Sequence, residues 1–511
     1  MTRMKRHAAR HDPDFYRQLR AELSDGWRWV DRAVVLAYGA LAGVVVVVFT
    51  LLSHMAFDFF GGLYGQAPLL ALLWTPLVTA GIVWLTRRFV PAAGGSGIPQ
   101  VVAALEPGLD AAGRHWFVSL KLSAAKVLLG SAGLLGGLSV GREGPSVQVA
   151  AGVMLHCQRW FRHRQSMVSP HALLVAGGAA GIAAAFNAPL AGVVFAIEEL
   201  SRRMESRYSG VILASIVLAG LIGVSAFGNT AYFGTVQVPP LGWSTLLPGV
   251  AVAVLAGLAG GVFSRLMIAS LTGSSGDRFT AWRRRYPIRF AAGIGLAIAV
   301  IGLATGGQTF GSGTEAAREL LHGQVHDAAS VYGLLKFVTT WLTAWSGVPG
   351  GIFAPSLSVG AGIGYNVSSL AGGEVNTALI AMGMAGFLAA VTQTPLTSFI
   401  IVMEMIDGRP MVLSLMAVAM TSAAISRMIS RPLYATLAAF MLAQLRARQA
   451  SAAARPEAES EPSGGPAAPA APAFAEGARP VDSASPASPA SAAPAPAAPS
   501  PAAATAPPAP P

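Results

Sequence analysis

Gly141-Arg142-Glu143-Gly144-Pro145-Ser146-Val147-Gln148-Val149-Ala150-Ala151-Gly152 returns, loosely, as Gly351-Ile352-Phe353-Ala354-Pro355-Ser356-Leu357-Ser358-Val359-Gly360-Ala361-Gly362, 210 positions further on. Both copies read Gly-x-x-x-Pro-Ser-apolar-x-Val-x-Ala-Gly. Each is a glycine-proline break at the head of an apolar helical run. That pattern predicts a helix N-terminus, with unpaired N–H groups and the positive end of the helix dipole, inside strongly hydrophobic sequence. Such an end attracts anions. Two of them at corresponding places in a membrane chain imply a path for an anion through the bilayer.

The repeat reaches well beyond this segment. Gly95-Ser96-Gly97 recurs as Gly311-Ser312-Gly313, Lys126 as Lys336, Ala180-Gly181 as Ala385-Gly386, Pro189-Leu190 as Pro395-Leu396 and Glu198 as Glu404, all in the same order at offsets of 205 to 216. Residues 33–230 and 245–435 are therefore two copies of one unit in a single transport domain, 33–447. Inverted topology is the expected relation between the copies. Two helix N-termini meet one ion near the midplane from opposite sides only if their segments enter from opposite sides.

Composition supports a membrane chain: 53% of the 511 residues are hydrophobic and only 12% charged, with a mean hydropathy of +0.55. Apolar runs long enough to span fall at about 33–54, 68–86, 209–227, 246–270, 288–305 and 411–428. The stretches 116–156, 171–200 and 328–406 hold too much glycine and proline for plain spans. Broken helices are tolerated at membrane depth only where protein or a cavity satisfies the freed backbone. Residues 1–32 are polar and basic, with no signal-peptide pattern, and the positive-inside rule places them in the cytoplasm. The net charge of +11 becomes +14 once the tail after residue 450, with two arginines and five acids, is set aside. This excess is first a topology signal and then a bias toward anions. The basic residues sit in short loops such as 159–164 and 202–207, which argues against nucleic acid. The lone Cys157 excludes an intramolecular disulfide and a cysteine metal site. From 448 to 511 the chain is rich in Ala, Pro and Ser and predicts disorder.

Several residues admit both a plain and a functional reading. Ser96 is either an N-cap for the helix after Pro99 or a hydroxyl donor to an anion. Glu143 is either a carboxylate favoured by a helix dipole or an ionisable group that competes with an anion for the helix end when charged and leaves it when protonated. Glu198 and Glu199 stand four residues before Arg202 and Arg203, so surface ion pairs compete with the reading of one as an inner proton acceptor. Tyr434 suits an interfacial aromatic belt or an anion-donating phenol. Lys126 and Lys336 must snorkel or face protein. Their repetition suggests a structural role, as does that of Glu404.

With Gly95-Ser96-Gly97-Ile98-Pro99, Gly141-Arg142-Glu143-Gly144-Pro145, Gly351-Ile352-Phe353-Ala354-Pro355 and Pro432-Leu433-Tyr434 in order, the chain resembles the CLC family of chloride channels and chloride/proton exchangers, most closely the short bacterial exchangers. The resemblance covers about residues 33–445. It implies an all-α membrane fold with two inverted-topology halves of broken, tilted helices, and a homodimer with one anion path per subunit. Carried over by motif, Ser96, Tyr434 and the amides of Ile352 and Phe353 would bind the central anion. Glu143 would be the external gate, flanked by Arg142 and Gly144. In the Phe186–Gly192 to Glu198-Glu199 segment, Glu199 matches the internal proton-transfer residue, which channel members typically lack. Serine at Ser96 matches the chloride-preferring pattern, where nitrate-preferring members carry proline.

Three function classes then stand apart. Exchange of chloride for protons needs a protonatable group near each face, which Glu143 and Glu199 supply. A passive, voltage- or pH-gated chloride channel needs none at Glu199. A membrane enzyme would need a nucleophile–base pair or metal ligands; the nine histidines of the chain are scattered, and the segments expected near the midplane carry none. The expectation is a chloride/proton antiporter in a bacterial plasma membrane, with no cofactor, no metal and no catalytic residues.

Overall fold

The structure is a computed structural model that describes residues 26–161, 168–201, 209–228, 231–234, 242–274, 276–324, 329–372 and 375–453. In the first half, α1 (Gly26–Gln66), α2 (Ala71–Phe89), α3 (Ile98–Ala104), α4 (Ala111–Phe117), α5 (Leu120–Leu135), α6 (Glu143–His156), α7 (Pro170–Phe186), α8 (Pro189–Phe195) and α9 (Ser209–Phe227) follow in order. The second half contains α10 (Leu246–Thr272), α11 (Arg278–Arg285), α12 (Pro287–Ala304), α13 (Thr314–Leu321), α14 (Ala329–Ser346), α15 (Phe353–Gly372), α16 (Thr377–Thr392), α17 (Pro395–Ile406) and α18 (Val412–Ile429), and α19 (Leu433–Ala453) closes the described chain. No strand occurs among the described residues; two isolated bridges, Gly95–Pro349 and Gly141–Gly351, join loops at the centre.

Among the described residues, seven stretches of helix are long and apolar enough to span a bilayer. Six cover the runs expected from hydropathy, and Ala111–Leu135 is the seventh. The three glycine- and proline-rich stretches break into helix pairs that begin or end inside the protein, as the need to satisfy freed backbone groups requires. Three boundaries differ from expectation. Helix α1 starts at Gly26, before residue 33, and runs on to Gln66, because its polar residues Ser53, His54 and Asp58 face a cavity. At the other end α19 continues to Ala453, beyond 447, since Ala450, Ala452 and Ala453 are strong helix formers. The expected disordered tail otherwise lies outside the described residues, as do residues 1–25 and Arg202 and Arg203.

A two-fold relation between the halves is visible in reciprocal bonds. The Gly141 N–H donates to Gly351 O at 2.8 Å, and the Gly351 N–H returns to Gly141 O at 2.7 Å. Glu198 accepts from the amides of Leu396 and Thr397 at the start of α17. Its counterpart Glu404 accepts from Leu190 and Ala191 at the start of α8. Exchange of equivalent contacts in both directions is what a two-fold axis produces.

The axis inverts the topology. Helix α6 runs from the centre to the N-terminal end of α1, where His156 and Trp160 meet Tyr38. Helix α15 runs the other way. It ends beside the start of α14, where Asn366 bonds Ser330 O. The chain that follows it meets the end of α13, with Thr377 bonding Leu321 O, and α13 faces the same cavity as the C-terminal half of α1. Helix α6 is buried along nearly its whole length and α15 over residues 353–362, each held against a neighbour by small residues. A Cβ on Gly177 or Gly181 would strike the backbone of α6, and one on Gly360 or Gly364 the backbone of α16, the close approach that small residues permit between membrane helices.

Candidate anion site

The loop Gly94–Gly97 is fixed from below by a buried lysine. Lys126 of α5 is fully buried, and its Nζ donates to Ala93 O at 2.7 Å and Gly95 O at 2.6 Å. Lys336 of α14 does the same for the equivalent loop, donating to Thr309 O at 2.9 Å and Gly311 O at 2.7 Å. Neither ammonium snorkels. Both satisfy loop carbonyls, the shared structural role that their repetition suggested.

Ser96 is not the N-cap of α3. That position belongs to Gly97, whose N–H is satisfied by Gln100 Oε1 at 3.0 Å. The Ser96 hydroxyl points instead toward Gly144: a Cβ there would lie 2.5 Å from Ser96 Oγ and 3.3 Å from Gly351 Cα. Three segments therefore meet with only hydrogen atoms to spare: the Ser96 loop, the start of α6 and the approach to α15. Ser96 Oγ is buried and has no hydrogen-bond partner among the described residues.

Glu143 is the first residue of α6 and is 1% exposed. Its carboxyl lies against the backbone N–H groups of Glu143 itself, Arg142 and Ala354, the last belonging to α15. It occupies the ground between the N-terminal ends of two helices from opposite halves, where partial positive charge is greatest. Its Oε2 has no partner. The Ile352 and Phe353 amides sit beside it at the head of α15, where N–H groups lack intrahelical acceptors.

Tyr434, at the start of α19, is buried rather than at an interface. Its ring stacks on Phe353 with centroids 6.2 Å apart. Its phenol faces Ser96 and feels the charge of Glu199, but no hydrogen bond of good geometry joins the two hydroxyls, and Tyr434 Oη is a further unpartnered buried atom. An unsatisfied buried polar atom costs about 1–3 kcal/mol. Three of them, Ser96 Oγ, Tyr434 Oη and Glu143 Oε2, around two helix ends mark a site built for a ligand rather than a packed core.

Glu198 and Glu199 fall in a π-helical turn, Ala196–Leu200. Such turns often accompany functional positions. The turn separates the two carboxylates: Glu198 is committed to the α17 amides at 3.0 and 2.7 Å, and Glu199 is the one that reaches Tyr434 electrostatically.

Two cavities reach the site and share no lining residue. One, of about 820 Å³, opens beside Glu143 and Arg142 and is walled by His54, Asp58, Tyr232 and Arg318. The other, of about 690 Å³, reaches Ser96, Ile352 and Tyr434 from the face that holds the N-terminal end of α1. Arg87, Arg283, Arg284 and Arg448 line it, and no carboxylate does so among the described residues. Burial, then the guanidiniums of Arg87 and Arg284, press Arg283 below the ordinary arginine value. It still stays charged. A cationic funnel of this kind concentrates small anions at its floor.

Residues 77–427 match the family described as voltage gated chloride channel. The H(+)/Cl(-) exchange transporter ClcA of Citrobacter koseri is 32% identical over 410 residues, covering 76% of this chain and 82% of that protein. The chain belongs to the chloride channel family. ClcA of Salmonella arizonae is 31% identical over 437 residues, 81% of this chain and 89% of that one. Among solved structures, a slow cyanobacterial Cl⁻/H⁺ antiporter superposes with a TM-score of 0.68 at 24% identity, over 81% of this chain and 98% of that one. A eukaryotic CLC transporter gives 0.67 at 20% identity, over 80% and 74%. These superpositions establish the fold of the chloride channel family for this chain.

Within that family fold, the structure brings Ser96, Gly144, Glu143, Ile352, Phe353 and Tyr434 together. It turns the Arg142 side chain outward. Arg142 Nη1 meets His54 Nε2 at 2.7 Å and Nη2 donates to Tyr232 Oη at 3.1 Å. Sequence reasoning missed both partners. The helix starts that form the site do lack histidine, but His54 comes from the plain span α1, and one histidine in an apolar run carries no pattern. The only signal was its company: Ser53, His54 and Asp58 interrupt one helical face.

Proposed function

We propose that the protein is a secondary active antiporter that exchanges chloride for protons. The observation that carries this reading is the placement of the Glu143 carboxyl. It lies among the amides that would otherwise hold an anion, between the N-terminal ends of α6 and α15. A carboxylate and a chloride ion cannot share those amides, so each ion entering displaces the side chain and each departure readmits it. Protonation removes the carboxyl's attraction to the helix ends and releases it toward the 820 Å³ vestibule. The anion and the ionised carboxylate are then alternatives at one place, and the proton taken up by the displaced carboxyl couples the two movements, which is the requirement for exchange.

Ser96 Oγ, Tyr434 Oη and the Ile352 and Phe353 amides hold the central anion. Gly144 keeps room for the chain to approach, and Arg142 keeps positive charge at the outer mouth. Glu199 receives protons on the other side, close to Tyr434. Residues 33–447 form the transport domain, with halves 33–230 and 245–435. The protein works as a homodimer in a bacterial plasma membrane, its N-terminus in the cytoplasm, so the arginine-lined cavity is the inner one. This reading draws support from the exchangers to which the chain is similar.

The test is purified protein in liposomes, with chloride and pH recorded together. A chloride gradient should drive protons uphill. Glu143→Gln should abolish proton movement while chloride still flows, because the helix ends remain. A chloride current whose reversal ignores pH in the wild type would assign the chain to the passive channels.

A further inference from the structure

Arg142 precedes Glu143 and places its guanidinium on the wall of the outer vestibule. Arginine carries only donors. The 2.7 Å contact from Nη1 to His54 Nε2 therefore needs a bare Nε2, and a neutral His54 then carries its proton on Nδ1. An imidazolium has no lone pair to offer there and repels the guanidinium. His54 opens onto the 820 Å³ cavity, so protons reach it from solution without passing Glu143.

We propose that His54 is a positioning residue that holds Arg142 only while it is neutral, so that acid on the outer face frees the guanidinium beside Glu143 and draws anions to the mouth. The proposal rests on the anion path through this vestibule. The groups around His54 fit the role. Asp58, one turn along α1, is the opposite charge an imidazolium would meet, and Arg142 and Arg318 are the like charges. Glu315 is tied to Arg318 at 2.8 Å, and Glu319 lines the same cavity from α13. Once the imidazole lets go, Arg142 keeps, among the described residues, the Tyr232 hydroxyl and a ring contact at 5.8 Å. It is then free to swing, and the mouth holds one more positive charge than before.

Glu143 titrates too, so the two effects must be separated. Chloride flux through full-length Glu143→Ala protein in liposomes, with equal pH on both faces stepped from neutral to acid, isolates the second. With His54 present the flux should rise several-fold toward acid. Adding His54→Gln, whose amide oxygen accepts from Arg142 at every pH, should hold the flux at the neutral level. Adding His54→Lys, which cannot accept at any pH, should hold it at the acid level. An unchanged acid rise in the glutamine variant, or equal flux in the two variants, overturns the proposal. The gate assignment is judged separately on the proton trace: persistent proton movement in Glu143→Ala defeats that assignment, while the chloride trace still decides His54. A readout free of transport guards against variants that fold poorly. The ¹⁵N imidazole signals of the full-length protein, with His54 assigned by its loss in His54→Gln, should show a proton on Nδ1 and a bare Nε2 at neutral pH. The opposite tautomer would refute the contact on which everything else stands.

Discussion

Glu198 and Glu199 are adjacent acids with opposite assignments, and substituting them separates structure from transport. Glu198 clamps the start of α17, its Oε2 accepting from Thr397 at 2.7 Å and its Oε1 from Leu396 at 3.0 Å. A hydrogen bond to a charged group contributes about 1.5–3 kcal/mol when sheltered. The Leu396 bond is exposed and counts for little; the Thr397 bond is half-buried and counts nearly in full. Glutamine keeps one acceptor but turns an NH₂ toward the other amide and removes the charge at a helix N-terminus. Glu198→Gln should therefore destabilise the protein by about 2 kcal/mol. The same reasoning gives Glu404→Gln a similar loss, since Glu404 holds Leu190 and Ala191 at 3.2 and 2.7 Å. Chloride and proton movement per folded protein should survive in both. Glu199→Gln leaves the clamp whole and should change stability by less than about 1 kcal/mol, yet proton movement should fall to background while chloride binding persists. The assay pairs unfolding in detergent with the two-electrode liposome recording. If Glu198→Gln stops protons at unchanged stability, or Glu199→Gln unfolds the protein, the roles are reversed and the reasoning fails.

Four further substitutions probe the site and the two lysines that support its loops. Lys126→Met would leave the Ala93 and Gly95 carbonyls without their donor and should lower stability by about 2–5 kcal/mol; calorimetric chloride affinity should weaken with it, whereas Lys336→Met should lose stability with the affinity largely kept. Ser96→Pro removes a hydroxyl and an N–H that suit a strongly hydrated ion, so the chloride-to-nitrate flux ratio should fall, and an unchanged ratio would deny Ser96 a part in selection. Gly144→Ala puts a methyl 2.5 Å from Ser96 Oγ; the protein should fold but bind chloride at least tenfold more weakly, and wild-type affinity would mean the three segments are not closely packed.

The repeat made most of the architecture legible. Glycine-proline breaks at Gly141 and Gly351 located both helix ends, and the ordered landmarks gave the two copies; their inversion followed from the need for two helix N-termini to meet one ion from opposite sides. What stayed hidden was where side chains turn. Glu198 and Glu199 look alike in sequence, and only the π turn at Ala196–Leu200 shows that one is bound to α17 amides and the other directed toward Tyr434. Tyr434 reads as an interfacial ring because it follows the last span at Pro432, and its burial against Phe353 depends on how α19 returns to the centre. Contacts across many residues, such as Arg142 with His54, leave no periodic trace in a single chain.

A two-fold fold poses its own problem, because a symmetric site cannot tell one face from the other. The structure breaks the symmetry at the residues that would do the chemistry. The helix starts pair as equals at Gly141 and Gly351, but the next landmark is a carboxylate at Glu143 on one side and an aromatic ring at Phe353 on the other. Ser96 and Ser312 are counterparts in the repeat. Ser312 Oγ is satisfied by Thr314 at 2.8 Å, whereas Ser96 Oγ is buried without a partner. The third unpartnered group, Tyr434, stands at the start of α19, at the very end of the second copy, and none of the paired landmarks matches it in the first. One vestibule mixes arginines with acids and a histidine; the other is lined by four arginines and no carboxylate among the described residues. Duplication thus supplies two opposed helix ends to hold an anion. On the function proposed here, divergence at Glu143, Ser96 and Tyr434 would then give the path a proton-sensitive end and an anion-selecting end.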